Sequence, residues 1–110
     1  MLYLRKQDQE LVLQLAAETL PPEVEIWAYG SRVTGQAHET SDLDLVLRGP
    51  ALAPLPLGSL ARFREALTES NLPLLVDVFD WARVPTAFHH NMLAAHEVLR
   101  PAAVPTPAAA

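Results

Sequence analysis

Apolar residues recur every three or four positions near the start of the chain. Leu4, Leu11, Val12 and Leu15 share one stripe, while Lys6, Asp8, Gln9, Glu10, Gln14 and Glu18 supply the opposite, polar side. This spacing predicts an amphipathic helix over residues 5–20, stopped by Pro21-Pro22. The period then changes. Val24 to Tyr29 is a short apolar run that breaks at Gly30-Ser31 and predicts a strand; Leu43 to Leu47 and Leu74 to Phe79, rich in Leu and Val, predict two more. Leu60, Phe63 and Leu67 return to helical spacing, with Arg62, Arg64 and Glu65 interleaved. Pro85 suits a first helical position, and Phe88, Met92, Ala95 and Leu99 then fall on one face of a last helix.

Two segments carry no such pattern. Gly49 to Gly58 contains Pro50, Pro54 and Pro56, which lack backbone donors and predict a loop. Pro101 to Ala110 holds only Pro, Ala, Val and Thr and reads as a disordered or polyproline-like tail, leaving residues 1–100 as one domain. The order helix, strand, strand, helix, strand, helix predicts a small α/β (α+β) domain.

Composition narrows the partners. The chain has 110 residues, half of them hydrophobic, enough for one modest core. Without cysteine it has no disulfide, thiolate metal site or cysteine nucleophile. The formal net charge is −5 and the eight basic residues are scattered singly, so no basic stripe invites nucleic acid as a stable partner. There is no apolar leader and no run of about 18 apolar residues, so the expectation is a cytoplasmic protein without a membrane span.

The candidate chemistry lies in Gly30-Ser31-Arg32-Val33-Thr34-Gly35 and Ser41-Asp42-Leu43-Asp44-Leu45-Val46-Leu47. Alternation along a strand puts Asp42 and Asp44 on one side, roughly 6–7 Å apart at Cα, and Leu43, Leu45 and Leu47 on the other. Two such carboxylates repel and raise each other's pKa, a penalty that a divalent cation removes; Mg²⁺ prefers carboxylate and phosphate oxygens. Gly30 allows an unusual backbone and close ligand approach, and Ser31 is expected to cap a short helix while offering a hydroxyl and N–H groups to a phosphate. Gly35 turns the chain back toward Asp42. Asp77 stands inside the apolar run Leu74 to Phe79, where a charge is costly unless paired or metal-bound; a neighbouring strand would set it beside Asp42 and Asp44 as a two-metal cluster.

Gly-Ser, a nearby Gly, Asp-x-Asp and a later strand aspartate resemble the nucleotidyltransferase superfamily of DNA polymerase β. The short form GSRVTG…SDLDLVL looks like its minimal branch, the MNT antitoxins paired with HEPN toxins, over about residues 10–99. The resemblance implies a mixed β-sheet flanked by helices, Gly30 and Ser31 on the triphosphate, and Asp42 and Asp44 on both metals. It further implies Asp77 on the catalytic Mg²⁺, helping to deprotonate the attacking hydroxyl. No residue of the core pattern is missing, which favours an active enzyme: AMP transfer from ATP, or another NTP, onto a tyrosine of a HEPN-type ribonuclease toxin.

Plainer readings stand beside these. Asp77 is also readable as a strand-end residue or a turn partner of Asp80, and Arg32 either touches phosphate or pairs with Glu25 or Glu39. His89, His90 and His96 lack the spacing of a helical zinc pair and read as surface residues, and Trp27 and Trp81 as core or interface anchors. The competing function is a catalytically idle antitoxin that neutralises its partner by direct binding. Transfer to a small molecule, as in aminoglycoside nucleotidyltransferases, lacks a second domain to hold the acceptor, and RNA tailing lacks both charge and appendage.

Overall fold

Leucine and valine at alternate or helical spacing meet here in one small sheet with helices on both faces. The computed structural model describes residues 2–36 and 41–103. Its elements are α1 (Lys6–Thr19), β1 (Glu25–Tyr29), α2 (Ser31–Thr34), β2 (Leu43–Arg48), a 3₁₀ turn (Pro50–Leu52), α3 (Leu57–Glu69), β3 (Val76–Asp80), α4 (Thr86–Ala94) and β4 (His96–Arg100). The strand order is β3-β2-β1-β4. β1 runs antiparallel to both β2 and β4, whereas β3 is parallel to β2. A parallel neighbour requires a crossover, which α3 supplies.

The apolar stripe of α1 (Val12, Ala16) and that of α3 (Leu60, Phe63, Leu67) close over one face of the sheet. There they bury Ile26 and Ala28 of β1, Leu43, Leu45 and Leu47 of β2, Val78 of β3 and Leu99 of β4. The opposite face is covered in part. Trp27, Val46, Trp81 and Met92 of α4 form a second cluster there, with Trp27 edge-on to Trp81 at 5.6 Å between ring centres. The Arg48 guanidinium lies over both indoles, 4.1 and 4.6 Å from their centres, and is held by Glu25 at 3.1 Å. Both tryptophans are buried, as anchors should be.

Three expectations are corrected. The last helix does not run to Leu99: it ends at Ala94, Ala95 is extended (φ −148°, ψ 102°), and His96–Arg100 forms β4. The reason is long-range, because β1 would otherwise leave one edge of backbone donors and acceptors unpaired. Of the expected stripe only Met92 and Leu99 are buried, and they serve opposite faces of the sheet. His89 and His96 are not surface histidines. The His89 ring stacks on Trp81 at 3.8 Å and its Nε2 meets the Trp81 carbonyl at 2.8 Å. The His96 ring stacks on Trp27 at 3.7 Å, with Nδ1 on the Met92 carbonyl at 2.9 Å. The segment 49–58 is also more ordered than a loop: it holds the Pro50–Leu52 turn, buries Leu55, and enters α3 at Leu57.

Ala103 N–H donates to the Pro22 carbonyl at 2.9 Å, which ties down the first residues of the expected tail; 104–110 lie outside the described residues. No helix among the described residues is long and apolar enough to cross a membrane.

Candidate active site

The site assembles at the end of the sheet where β1 stops. Gly30 has φ +80°, a conformation L side chains avoid, and its carbonyl accepts the N–H groups of Val33 and Thr34 at 3.0 and 3.1 Å to start α2. A Cβ on Gly30 would stand 2.5 Å from Asp44 Oδ2, so backbone conformation and close approach both demand glycine. Gly30 itself occupies the N-cap position and Ser31 is the first helical residue, which corrects the capping role expected of the Ser31 side chain. Gly35, at φ +87°, ends the helix in the left-handed conformation.

Strand register does the rest. Tyr29 of β1 faces Asp44 of β2 across the antiparallel pair, and Asp44 faces Asp77 of β3 across the parallel pair. His96 of β4 faces Tyr29 on its other side. One row across four strands thus carries His96, Tyr29, Asp44 and Asp77, and Asp42 stands immediately before β2. Leu43, Leu45 and Leu47 turn into the core as alternation requires.

The carboxylates interact. Burial, then the charges of Asp77 and Asp42 and a hydrogen bond with Asp77, push the Asp44 carboxyl up to about 6. Burial, with the charges of Asp44 and Asp77, pushes the Tyr29 phenol up to about 12. Tyr29 is a site residue outside the Gly-Ser and Asp-x-Asp motifs. Its signal was available: a polar-tipped aromatic closing an apolar strand directly before Gly-Ser.

The donor set suits a hard cation, since the coupled groups are all carboxylates and a cation between them would relieve the strain that raises Asp44. Among the described residues no three His, Cys, Asp or Glu side chains already stand in a ligating cluster. Asp42, Asp44 and Asp77 are therefore electrostatic neighbours here, with two of them hydrogen-bonded to each other.

Arg32 is buried, 4% exposed. Its Nε and Nη2 donate to the Ser41 carbonyl at 2.9 and 2.6 Å and its Nη1 to the Tyr3 carbonyl at 2.7 Å. It fixes the chain entering Asp42 to the N-terminal segment. The expected pairing with Glu25 is corrected, because Glu25 binds Arg48; Glu39 lies outside the described residues. The two aspartates of β3 divide their work. Asp80 is buried and structural, accepting from Leu55 N–H at 2.9 Å, Ala82 N–H at 3.1 Å and the Arg83 guanidinium. An open groove between α1 and α3, lined by Leu11, Leu15 and Ala66, lies in the helical layer that packs on the opposite face of the sheet.

Comparison with known proteins agrees with this fold. The family profile described as "Polymerase beta, Nucleotidyltransferase" matches residues 3–101. The chain is 36% identical over 97 residues to the probable protein adenylyltransferase MntA of Haemophilus influenzae, covering 86% of this chain and 82% of that protein. In fold it is similar to a chain of a toxin–antitoxin crystal structure with AMP-PNP (TM-score 0.68, 20% identity, 84% of this chain and 73% of that one). It is likewise similar to a chain of the MntA–HepT toxin–antitoxin (TM-score 0.64, 16% identity, 88% and 73%). Because the family match spans residues 3–101, nearly the whole chain, the chain belongs to the polymerase β nucleotidyltransferase family.

Proposed function

We propose that this protein is the antitoxin of a toxin–antitoxin pair, a Mg²⁺-dependent adenylyltransferase acting in the cytoplasm. It moves AMP from ATP to a tyrosine of a HEPN-type ribonuclease toxin and thereby silences it. The observation that carries the reading is Asp44, wedged between the Gly30 backbone and Asp77. The resemblance to MntA, named a probable protein adenylyltransferase, supports the reaction type.

In this reading Gly30, Ser31 and Arg32 form the triphosphate side. Gly30 and Ser31 present backbone and hydroxyl, and Arg32 holds the Ser41 carbonyl so that Asp42 enters β2 in place. Asp42, Asp44 and Asp77 hold magnesium, which when bound neutralises charge on the phosphates. The acceptor oxygen bonds to the α-phosphorus, the bond from that phosphorus to the bridging oxygen breaks, and pyrophosphate leaves. Asp77 takes the hydroxyl proton.

The test is mass spectrometry of the toxin after incubation with this protein, ATP and Mg²⁺. A gain of one or more AMP units, absent with Asp42→Asn, is expected. Unmodified toxin that regains ribonuclease activity on separation would leave an idle antitoxin acting by contact.

A further inference from the structure

β3 is an edge strand whose residues alternate in an unusual way. Val78 and Asp80 are buried, whereas Leu75, Asp77 and Phe79 are all exposed on the carboxylate face. Leu75, whose carbonyl accepts Leu43 N–H at 2.9 Å, continues the pairing just ahead of the strand. Leu75 is 73% exposed and Phe79 39%, although Val46, the register neighbour of Phe79, is fully buried. The cluster under α4 covers Trp27, Val46 and Trp81 but leaves Phe79 out. Asp77 is therefore flanked on both sides by large apolar groups open to solvent.

The direction of the chemistry says what belongs there. In phosphoryl transfer the entering and leaving oxygens lie roughly in line. The Gly30–Ser31 turn stands at the end of β1, beside Asp44, and Asp77 stands beyond Asp44 on β3. With pyrophosphate leaving on the β1 side, the acceptor enters over β3.

We infer that Leu75 and Phe79 form the acceptor platform, gripping the ring of a partner tyrosine so that its hydroxyl meets Asp77. This rests on the adenylyltransferase reading above. Leu75 and Phe79 lie four strand positions apart, roughly 13 Å, with Asp77 midway, so a phenol ring held against either side chain reaches Asp77 across one step of roughly 6–7 Å and a serine does not. The platform's apolar walls also disfavour a sugar or a polyamine. Strand addition is not the mode of recognition at Val78, because its carbonyl already accepts the Arg64 Nε–H at 3.2 Å. Side-chain capture on the open face remains.

The test compares wild type with Phe79→Ala and the Leu75→Ala/Phe79→Ala pair, both altered at exposed positions. Toxin KM, kcat, AMP-PNP affinity by calorimetry and melting temperature are measured for each. Toxin KM is expected to rise about tenfold or more in the double variant, the scale of losing buried apolar side chains. The kcat, the AMP-PNP affinity and the melting temperature hold, and Phe79→Trp restores KM. Unchanged toxin KM with active wild type overturns this inference alone. A parallel fall in AMP-PNP affinity assigns the ring to the nucleotide and also overturns it, as does a loss that tracks melting temperature. Wild type that modifies no toxin removes the adenylyltransferase reading and this inference together.

Discussion

Replacing Asp44 by asparagine separates a catalytic role from a structural one. In the absence of metal, Asp44 carries its charge half-buried beside Asp77 and Asp42, and its carboxyl is pushed from 3.8 up to about 6. At about 1.36 kcal/mol per pKa unit the full shift is worth roughly 3 kcal/mol, and solvent screening of a half-exposed group reduces this to about 1 kcal/mol. The sign follows from proton binding. Between the unfolded and folded pKa the native state holds a proton that the unfolded chain has lost, so the charge burden is absent below 3.8, grows through that window, and is complete above about 6. Asparagine removes the burden, and its amide can donate to Asp77. Melting in EDTA at pH 7 is therefore expected to rise by about 5 °C for Asp44→Asn, with the gain vanishing near pH 4. AMP transfer falls by orders of magnitude. A melting temperature lowered at pH 7 would mean that Asp44 supports the fold, and the electrostatic reasoning would be wrong.

Gly30→Ala combines a positive φ with a Cβ 2.5 Å from Asp44 Oδ2, so urea unfolding should show a loss of about 1–3 kcal/mol together with lost transfer; a neutral effect would refute the close approach. Asp80→Ala strands the Leu55 and Ala82 N–H groups and the Arg83 guanidinium, and is expected to cost about 3 kcal/mol. If that variant instead kept its stability and lost only transfer, the division of labour on β3 would be reversed. The chain has two tyrosines, so Tyr3→Phe leaves one phenol to read by ultraviolet titration; Tyr29 should ionise near 12, and a value near 10 would contradict the burial and charges around it.

What the sequence could settle was whatever depends on neighbours along the chain. Alternation in Asp42-Leu43-Asp44-Leu45 is a property of any strand, and it alone sends carboxylates one way and leucines the other. Gly30 was legible for the same reason, since an apolar strand that stops at Gly-Ser needs backbone freedom where it turns. Pairing between distant segments was decided by the tertiary structure. That β3 lies parallel to β2 with Asp77 level with Asp44 depends on how α3 packs over both strands, which no local pattern encodes. Tyr29 joins the site through the antiparallel β1–β2 register, which sets it against Asp44. That the Arg32 guanidinium also ties the Ser41 and Tyr3 carbonyls together came from the tertiary structure, since those partners lie 9 and 29 residues away in the chain. The segment after Ala94 keeps a helical period through Leu99, and no proline or glycine interrupts residues 86–100. The unpaired edge of β1 turned it into β4, because backbone hydrogen bonds along a whole strand outweigh the few tenths of a kcal/mol by which one helix former differs from another.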